Sequence, residues 1–314
     1  MINRSNFAKA LYPGVSKWYG QAYNEYPVEW TGLYDQAKST RAYEEDVGVT
    51  SFGLAQVKGE GDSITFDDES QAFVTRYSHV VYALGFIITE EMVEDDLYDV
   101  IGSRRAKGLA FSMRQTKEVV GADLYNNAFN GGSAGGDGVS MCNTLHPNFA
   151  GGFQSNSVAT DLSESALESL CITTSKWTND AGLRIQVMPN SIIVPTDLQF
   201  EAERIMGTPY QTAAMSASRS VLRSGTADAI DSNDINVARG KFPGGVTVNH
   251  YLTDDSAWFV RNSNVVDGLK AYSRRDMRFA NDSDFETSNA KYKASERYSF
   301  GYTDWRAISG SSGA

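Results

Sequence analysis

The residues able to do chemistry are few and scattered. The three histidines stand alone at His79, His146 and His250. Cys142 and His146 lie four apart, but a structural zinc needs four ligands and no second pair follows. His146-Pro147 reads better as a turn. His79 shares an alternating segment with Tyr77 and Val81 and reads as packing. Asp282, Asp284 and Glu286 alternate in NDSDFE, and Asp228, Asp231 and Asp234 cluster upstream. Neither set has the central glycine and terminal glutamate of a calcium loop, so both read as solvated turns. GGSAGGDG, residues 131–138, lacks the Lys-Ser or Lys-Thr of a phosphate-binding loop. There is no GxSxG, and no Cys or Ser joins a His in a recognisable nucleophile signature. Arg104-Arg105 and Arg274-Arg275 come as pairs, not as a basic stripe interleaved with stacking aromatics. These residues ask for no enzyme, no metal and no cofactor.

Composition narrows the partners. The 314 residues suffice for two domains with a real core. A formal net charge of −11 argues against a protein that grips nucleic acid by neutralising phosphates. It is compatible with a wall that encloses nucleic acid, because an acidic or neutral wall does not adhere to a polyanion. Two cysteines without CxxC spacing fit a reducing compartment. MINRSNFAKALYPG lacks the basic and apolar regions of a signal peptide. No stretch approaches the ~20 apolar residues of a membrane span, so the expectation is a soluble, cytoplasmically made protein with no membrane partner.

The longest regular element spans Thr89 to Gly131. Five carboxylates crowd its start, opposing the helix macrodipole. Val93, Leu97, Val100, Ile101, Ala106, Leu109, Ala110, Met113, Val120, Leu124 and Ala128 follow at helical spacing. Gly102, Gly108 and Gly121 predict a bend or break. Before this helix, Val47, Val49, Phe52, Leu54 and Val57 lead into the turn KGEGD, and Ile64 and Phe66 alternate after it. This reads as a long hairpin, too narrow to be stable alone, that must lie on something. Residues 1–45 scatter Trp18, Tyr19, Tyr23, Tyr26, Trp30 and Tyr34 among polar residues without clean periodicity. Such a segment is expected to lie along another surface, of this chain or of a neighbour. Residues 130–156 read as a long flexible loop. A helix capped by Asp161 or Ser163, a strand over 185–194, a short helix over 196–206, strands near 241–252, 257–260, 272–279 and 291–305, and a loose tail SGSSGA complete the chain. Strands and helices mix without βαβ rhythm, which gives α+β.

The wording and order of several phrases carry a resemblance. They are Tyr43-Glu-Glu-Asp-Val-Gly-Val-Thr50, Phe52-Gly-Leu-Ala-Gln-Val-Lys58, Gly85-Phe-Ile-Ile-Thr-Glu-Glu-Met92 and Glu94-Asp-Asp-Leu-Tyr98. Gly136-Asp-Gly138, His146-Pro147, Ile193-Val-Pro195, Val248-Asn-His-Tyr-Leu-Thr-Asp254, Asn289-Ala-Lys-Tyr-Lys293 and Glu296-Arg-Tyr-Ser-Phe-Gly301 follow. From about residue 40 onward the chain resembles the major capsid proteins of tailed bacteriophages, in particular the Mu-like major head subunit group. The resemblance implies the HK97-type fold: an N-terminal arm (1–45), an extended hairpin or E-loop (46–86), a P-domain with the spine helix and glycine-rich loop (87–188), an A-domain (189–269) and a return to the P-domain (270–314). It implies a homo-oligomeric shell of hexamers and pentamers around double-stranded DNA, located in the virion and assembled in the host cytoplasm. A separate scaffold protein, a portal and a decoration or cement protein are the implied partners. Expected inter-subunit contacts are Phe52, Leu54, Lys58, Glu60, Ile64 and Phe66 on the hairpin and Trp18, Tyr23 and Trp30 on the arm. An encapsulin-like compartment, which shares the fold, is the alternative, with a metal-dependent hydrolase behind it.

Overall fold

The computed structural model describes residues 8–89, 91–92, 102–131, 135–207, 238–283 and 289–313. In chain order the elements begin with α1 (Ala8–Glu25), α2 (Trp30–Leu33), β1 (Asp35–Lys38), β2 (Tyr43–Val49), β3 (Gln71–Ser78) and β4 (Val80–Ile88). Next come α3 (Ser103–Asn126), β5 (His146–Pro147), β6 (Phe153–Gln154), β7 (Ser157–Val158), α4 (Glu164–Thr174), β8 (Met188–Val194) and α5 (Gln199–Gly207). The chain closes with β9 (Gly245–Val248), β10 (Trp258–Ser263), β11 (Leu269–Ser283), β12 (Ala290–Tyr302) and β13 (Ile308–Ser311). It divides into two compact units, one of residues 1–44, 77–122 and 271–300, the other of 45–76, 123–270 and 301–314.

The first unit is a four-stranded sheet in the order β1-β11-β12-β4 with α1 and α3 on one face. On β12, Ala290, Tyr292 and Ala294 point into the core while Lys291 and Lys293 point to solvent, the alternation of a strand covered on one side. The register sets Tyr292 opposite Phe86 and Ala290 opposite Ile88 on β4. Ala106, Leu109, Ala110 and Met113 of α3 meet Val15, Tyr19, Ala22 and Tyr23 of α1 over these strands. Of the helix expected over Thr89–Gly131, the stretch Ser103–Asn126 is helical and passes through Gly108 and Gly121 without a break. Gly121 has a packing reason: a Cβ there would lie 3.0 Å from the Trp30 Cβ. The acidic start expected for this helix lies mostly outside the described residues.

Instead of an aperiodic segment, residues 8–25 form a helix whose positions 15, 18, 19, 22 and 23 share one face. Pro13-Gly14 inside the segment had hidden that stripe. Glu118, almost wholly buried, caps the start of α2 by accepting from the backbone N–H of Trp30 at 2.8 Å.

The second unit holds a five-stranded sheet in the order β7-β13-β10-β8-β9. β10 pairs antiparallel with β13 and β8, while β9 runs parallel to β8 and β7 parallel to β13. Trp258 and Val260 face α4 and α5, packing with Leu167, Leu170, Ala202 and Ile205. Phe259, one residue out of phase, meets Tyr125 and Phe129 on the opposite side at 5.3 and 5.8 Å between ring centroids. Ser163 caps α4 as expected, accepting from Ala166 N–H at 3.2 Å. The tail is not loose: Ser309 and Ser311 are buried in β13, and a Cβ at Gly310 would come within 2.7 Å of Phe259. Small polar residues fit here because the strand is pinned between two others.

Residues 135–156 are also more ordered than their glycines suggest. His146 is fully buried and lies 2.6 Å from Asp137 and 3.0 Å from Asn156, one contact on each ring nitrogen. Its ring stacks on Trp305 at 4.3 Å. Asn156 also donates to the carbonyls of Met141 and Ile308. One histidine thus organises β5, β6 and the C-terminal strand.

Candidate assembly surface

The hairpin β2–β3 has a held base and an unsupported tip. At the base, Arg76 and Glu45 form a 3.0 Å ion pair across the two strands. Phe73 packs on Phe149 at 4.7 Å. Asp46 accepts from Lys270 Nζ at 2.7 Å and from Thr303 Oγ1 at 3.0 Å. Two carboxylates, Asp46 and Asp267, outweigh partial burial and raise the Lys270 pKa. The strands end where Thr50 N–H donates to the Ser70 carbonyl at 2.9 Å.

Beyond that clasp, residues 51–70 form no regular strand. The long hairpin expected over 46–86 is thus shorter, and its last part, β4, joins the sheet of the first unit. A single bond from Gly53 N–H to Asp67 Oδ2 crosses the ribbon at 2.7 Å. The tip turns at Gly59–Asp62, with Gly61 at φ +87°, a left-handed conformation natural to glycine. Phe52, Leu54, Ile64 and Phe66 are all exposed, Phe66 to 85%, as are Lys58 and Glu60. Val57, which the alternating pattern included but the expected contacts did not, is fully exposed. An apolar ribbon with five carboxylates (Glu60, Asp62, Asp67, Asp68, Glu69) and one lysine buries almost nothing against its own chain. Such a surface is a partner's binding site or an aggregation liability.

A second exposed apolar group had no signal in the sequence. The small β5–β6 hairpin, held by His146, displays Phe149 and Phe153, and Leu145 stands just before it. Their spacing follows a tight turn through Gly151 and Gly152, both at positive φ, rather than any strand or helix period.

The arm residues stand differently. Tyr23 is buried in its own unit, 8% exposed. Trp18 is half-buried beside the same core, and Trp30 packs edge-on to Phe300 at 5.6 Å. The periodic face of α1 accounts for this, since it supplies a partner surface within the chain.

The described residues hold no cluster of His, Cys, Asp or Glu suited to a metal. Both ring nitrogens of His146 and of His79 are occupied by hydrogen bonds. Burial pushes the Cys142 thiol far above its ordinary range, which favours the protonated form. No described helix is long and apolar enough to cross a membrane.

The family model for phage capsid proteins matches residues 72–309, well over half of the chain. The chain belongs to the phage capsid protein family. Among solved structures, this capsid protein is similar to a chain of the procapsid of bacteriophage JBD30, at 12% identity and a TM-score of 0.50, covering 96% of this chain and 74% of that one. It is also similar to a Mycobacterium phage Adephagia structure (10% identity, TM-score 0.49, 92% and 91% covered). A virus-like particle from Pyrococcus furiosus matches at 11% identity and a TM-score of 0.48, with 95% and 97% covered. No curated protein sequence matches at a significant level. The fold of this capsid protein is the HK97 type, mixed helix and sheet.

Proposed function

We propose that this chain is the major capsid protein of a tailed bacteriophage of the Mu-like group, and that its copies close into the icosahedral head around double-stranded DNA. The observation that carries the reading is the hairpin tip, an apolar ribbon uncovered by its own chain in a member of a shell-forming family. In an assembly of identical subunits, such a patch meets a different patch on the next copy, a heterologous contact that closes when the symmetry is a point group. Phe52, Leu54, Ile64 and Phe66 supply the apolar area, and Lys58 and Glu60 the polar rim, of that contact. The role is structural and needs no catalytic step or cofactor. A scaffold protein, a portal and a cement protein complete the proposed partners, with assembly in the host cytoplasm and residence in the virion.

The test is expression of the chain with its scaffold, followed by negative-stain microscopy. Closed shells of uniform size are expected. Protein that stays monomeric under these conditions overturns the reading. Shells that contain a protein cargo in place of DNA and portal would make it a compartment shell instead.

A further inference from the structure

The chain leaves the first unit for the hairpin at about Glu44 and returns at about Tyr77. His79 lies just past that return, within the first unit. Its Nε2 lies 2.9 Å from Ser39 Oγ, and its Nδ1 lies 2.9 Å from Ser299 Oγ on β12. Ser39 in turn donates its only hydroxyl hydrogen to Glu44 Oε1 at 2.7 Å. That fixes one side of the imidazole: Nε2 must carry a hydrogen and donate to Ser39, and in the neutral ring Nδ1 accepts from the Ser299 hydroxyl. Glu44, Ser39, His79 and Ser299 form one chain of hydrogen bonds that ties the outgoing strand, the returning strand and the fixed sheet together.

We propose that this chain is an acid-sensitive latch, and that protonation of His79 releases the two strand roots of the hairpin. A second proton would sit on Nδ1 and turn the Ser299 hydroxyl hydrogen away, in a place where Ser299 is buried. The charged groups around the ring favour the neutral form. Arg297 donates to the His79 carbonyl at 3.3 Å, and Arg274 donates to the Arg41 carbonyl at 2.9 Å nearby. Glu44 is the opposing charge, and it is shared with Arg41 at 3.8 Å and with Ser39. Tyr272 contributes an aromatic edge, its centroid 6.2 Å from the imidazole. Burial first, then Arg297, and to a lesser degree Arg274, lower the His79 pKa, with Glu44 acting against them.

The inference concerns the single subunit and stands whether or not the chain forms a shell. Hydrogen exchange on the full-length subunit at pH 7.5 and 5.5 tests it, read as protection factors corrected for intrinsic rates. Protection at residues 39–44 and 77–80 should fall several-fold at the lower pH, while that of β10 stays constant. His79→Gln, neutral at both pH values, should abolish the difference. If that variant does not fold, nitrogen NMR of the wild-type imidazole decides. A neutral Nε2–H ring at pH 6.5, titrating below the ordinary histidine value, supports the latch. Titration at or above that value, pH-independent protection, or an unchanged pH difference in His79→Gln overturns it.

Discussion

The Tyr23 hydroxyl donates a 2.6 Å hydrogen bond to Glu296, 273 positions further along the chain, inside a core that leaves both side chains nearly inaccessible. Lys117 Nζ reaches the other carboxylate oxygen at 3.2 Å, and the Arg114 guanidinium lies 4.1 Å over the Tyr23 ring. Burial and then the Glu296 carboxylate hold the Tyr23 phenol well above its ordinary pKa, so it stays a donor. A buried carboxylate is tolerated only while its partners remain. Glu296→Ala strands Lys117 and is expected to cost about 3–5 kcal/mol, the range for breaking a buried pair. Glu296→Gln keeps an acceptor for Tyr23 and should cost less. Thermal denaturation of the two variants beside Tyr23→Phe checks the order; wild-type melting temperatures for all three would show that the cluster contributes nothing.

Glu118 offers a pH test of opposite sign to His79. Burial raises its pKa above the ordinary glutamate value, although the backbone N–H groups of Trp30 and Glu29 oppose the shift. A carboxyl whose folded pKa is raised binds its proton more tightly in the native state. Its contribution to stability is therefore fully present below the unfolded value and is lost as pH rises through the folded one. Glu118→Gln, an isosteric acceptor without the charge, should be at least as stable as wild type at pH 7 and should show a flatter profile from pH 4 to 7. A variant that loses stability at pH 7 would mean that the ionised cap outweighs its desolvation.

Leu109 sits on the buried stripe of α3, 5% exposed. Leu109→Asp should cost several kcal/mol and leave the subunit insoluble or unfolded. Soluble protein with the wild-type melting temperature would contradict a buried spine.

Much of the fold is written in the local pattern of the chain. The α3 stripe was legible because Ala106, Leu109, Ala110 and Met113 repeat at a helical period over a long segment, where the signal adds up. The hairpin tip was legible because the alternating apolar residues flank a glycine turn. The α1 stripe was obscured by Pro13-Gly14, a pair that normally ends a helix, although the residues after it keep the period. The buried tail was illegible because Ser309, Gly310 and Ser311 carry no hydrophobic signal; their burial follows from the strands on either side, a tertiary fact. His146 looked like a turn residue because its partners Asp137, Asn156 and Trp305 come together only after folding. The apolar group at Phe149 and Phe153 depends on the same histidine.

The acid excess yields a prediction about nucleic acid. With a net charge of −11, the free subunit should bind duplex DNA no more tightly than ~10⁻⁴ M at physiological salt, the weak end of non-specific binding. Fluorescence anisotropy over a salt series measures this. Tight, salt-dependent binding by the monomer would overturn the proposal that a shell of this protein encloses DNA without gripping it.

The hairpin tip separates folding from assembly. Thr50 and Ser70 close the base, and beyond them Phe52, Leu54, Ile64 and Phe66 stand in solvent. Side chains that remain more than half exposed in the subunit contribute little to its folding. At an interface each could supply ~1.5–3 kcal/mol before ordering costs. Replacing residues 52–66 by a short Gly-Ser linker should therefore leave a soluble subunit with near-wild-type helix content by circular dichroism and a similar melting temperature. Co-expressed with the scaffold, the same subunit should fail to form closed shells. Normal particles in the microscope would show that the tip is dispensable for assembly. Loss of the fold in the isolated subunit would show that the tip stabilises its own chain, despite the exposure of all four side chains.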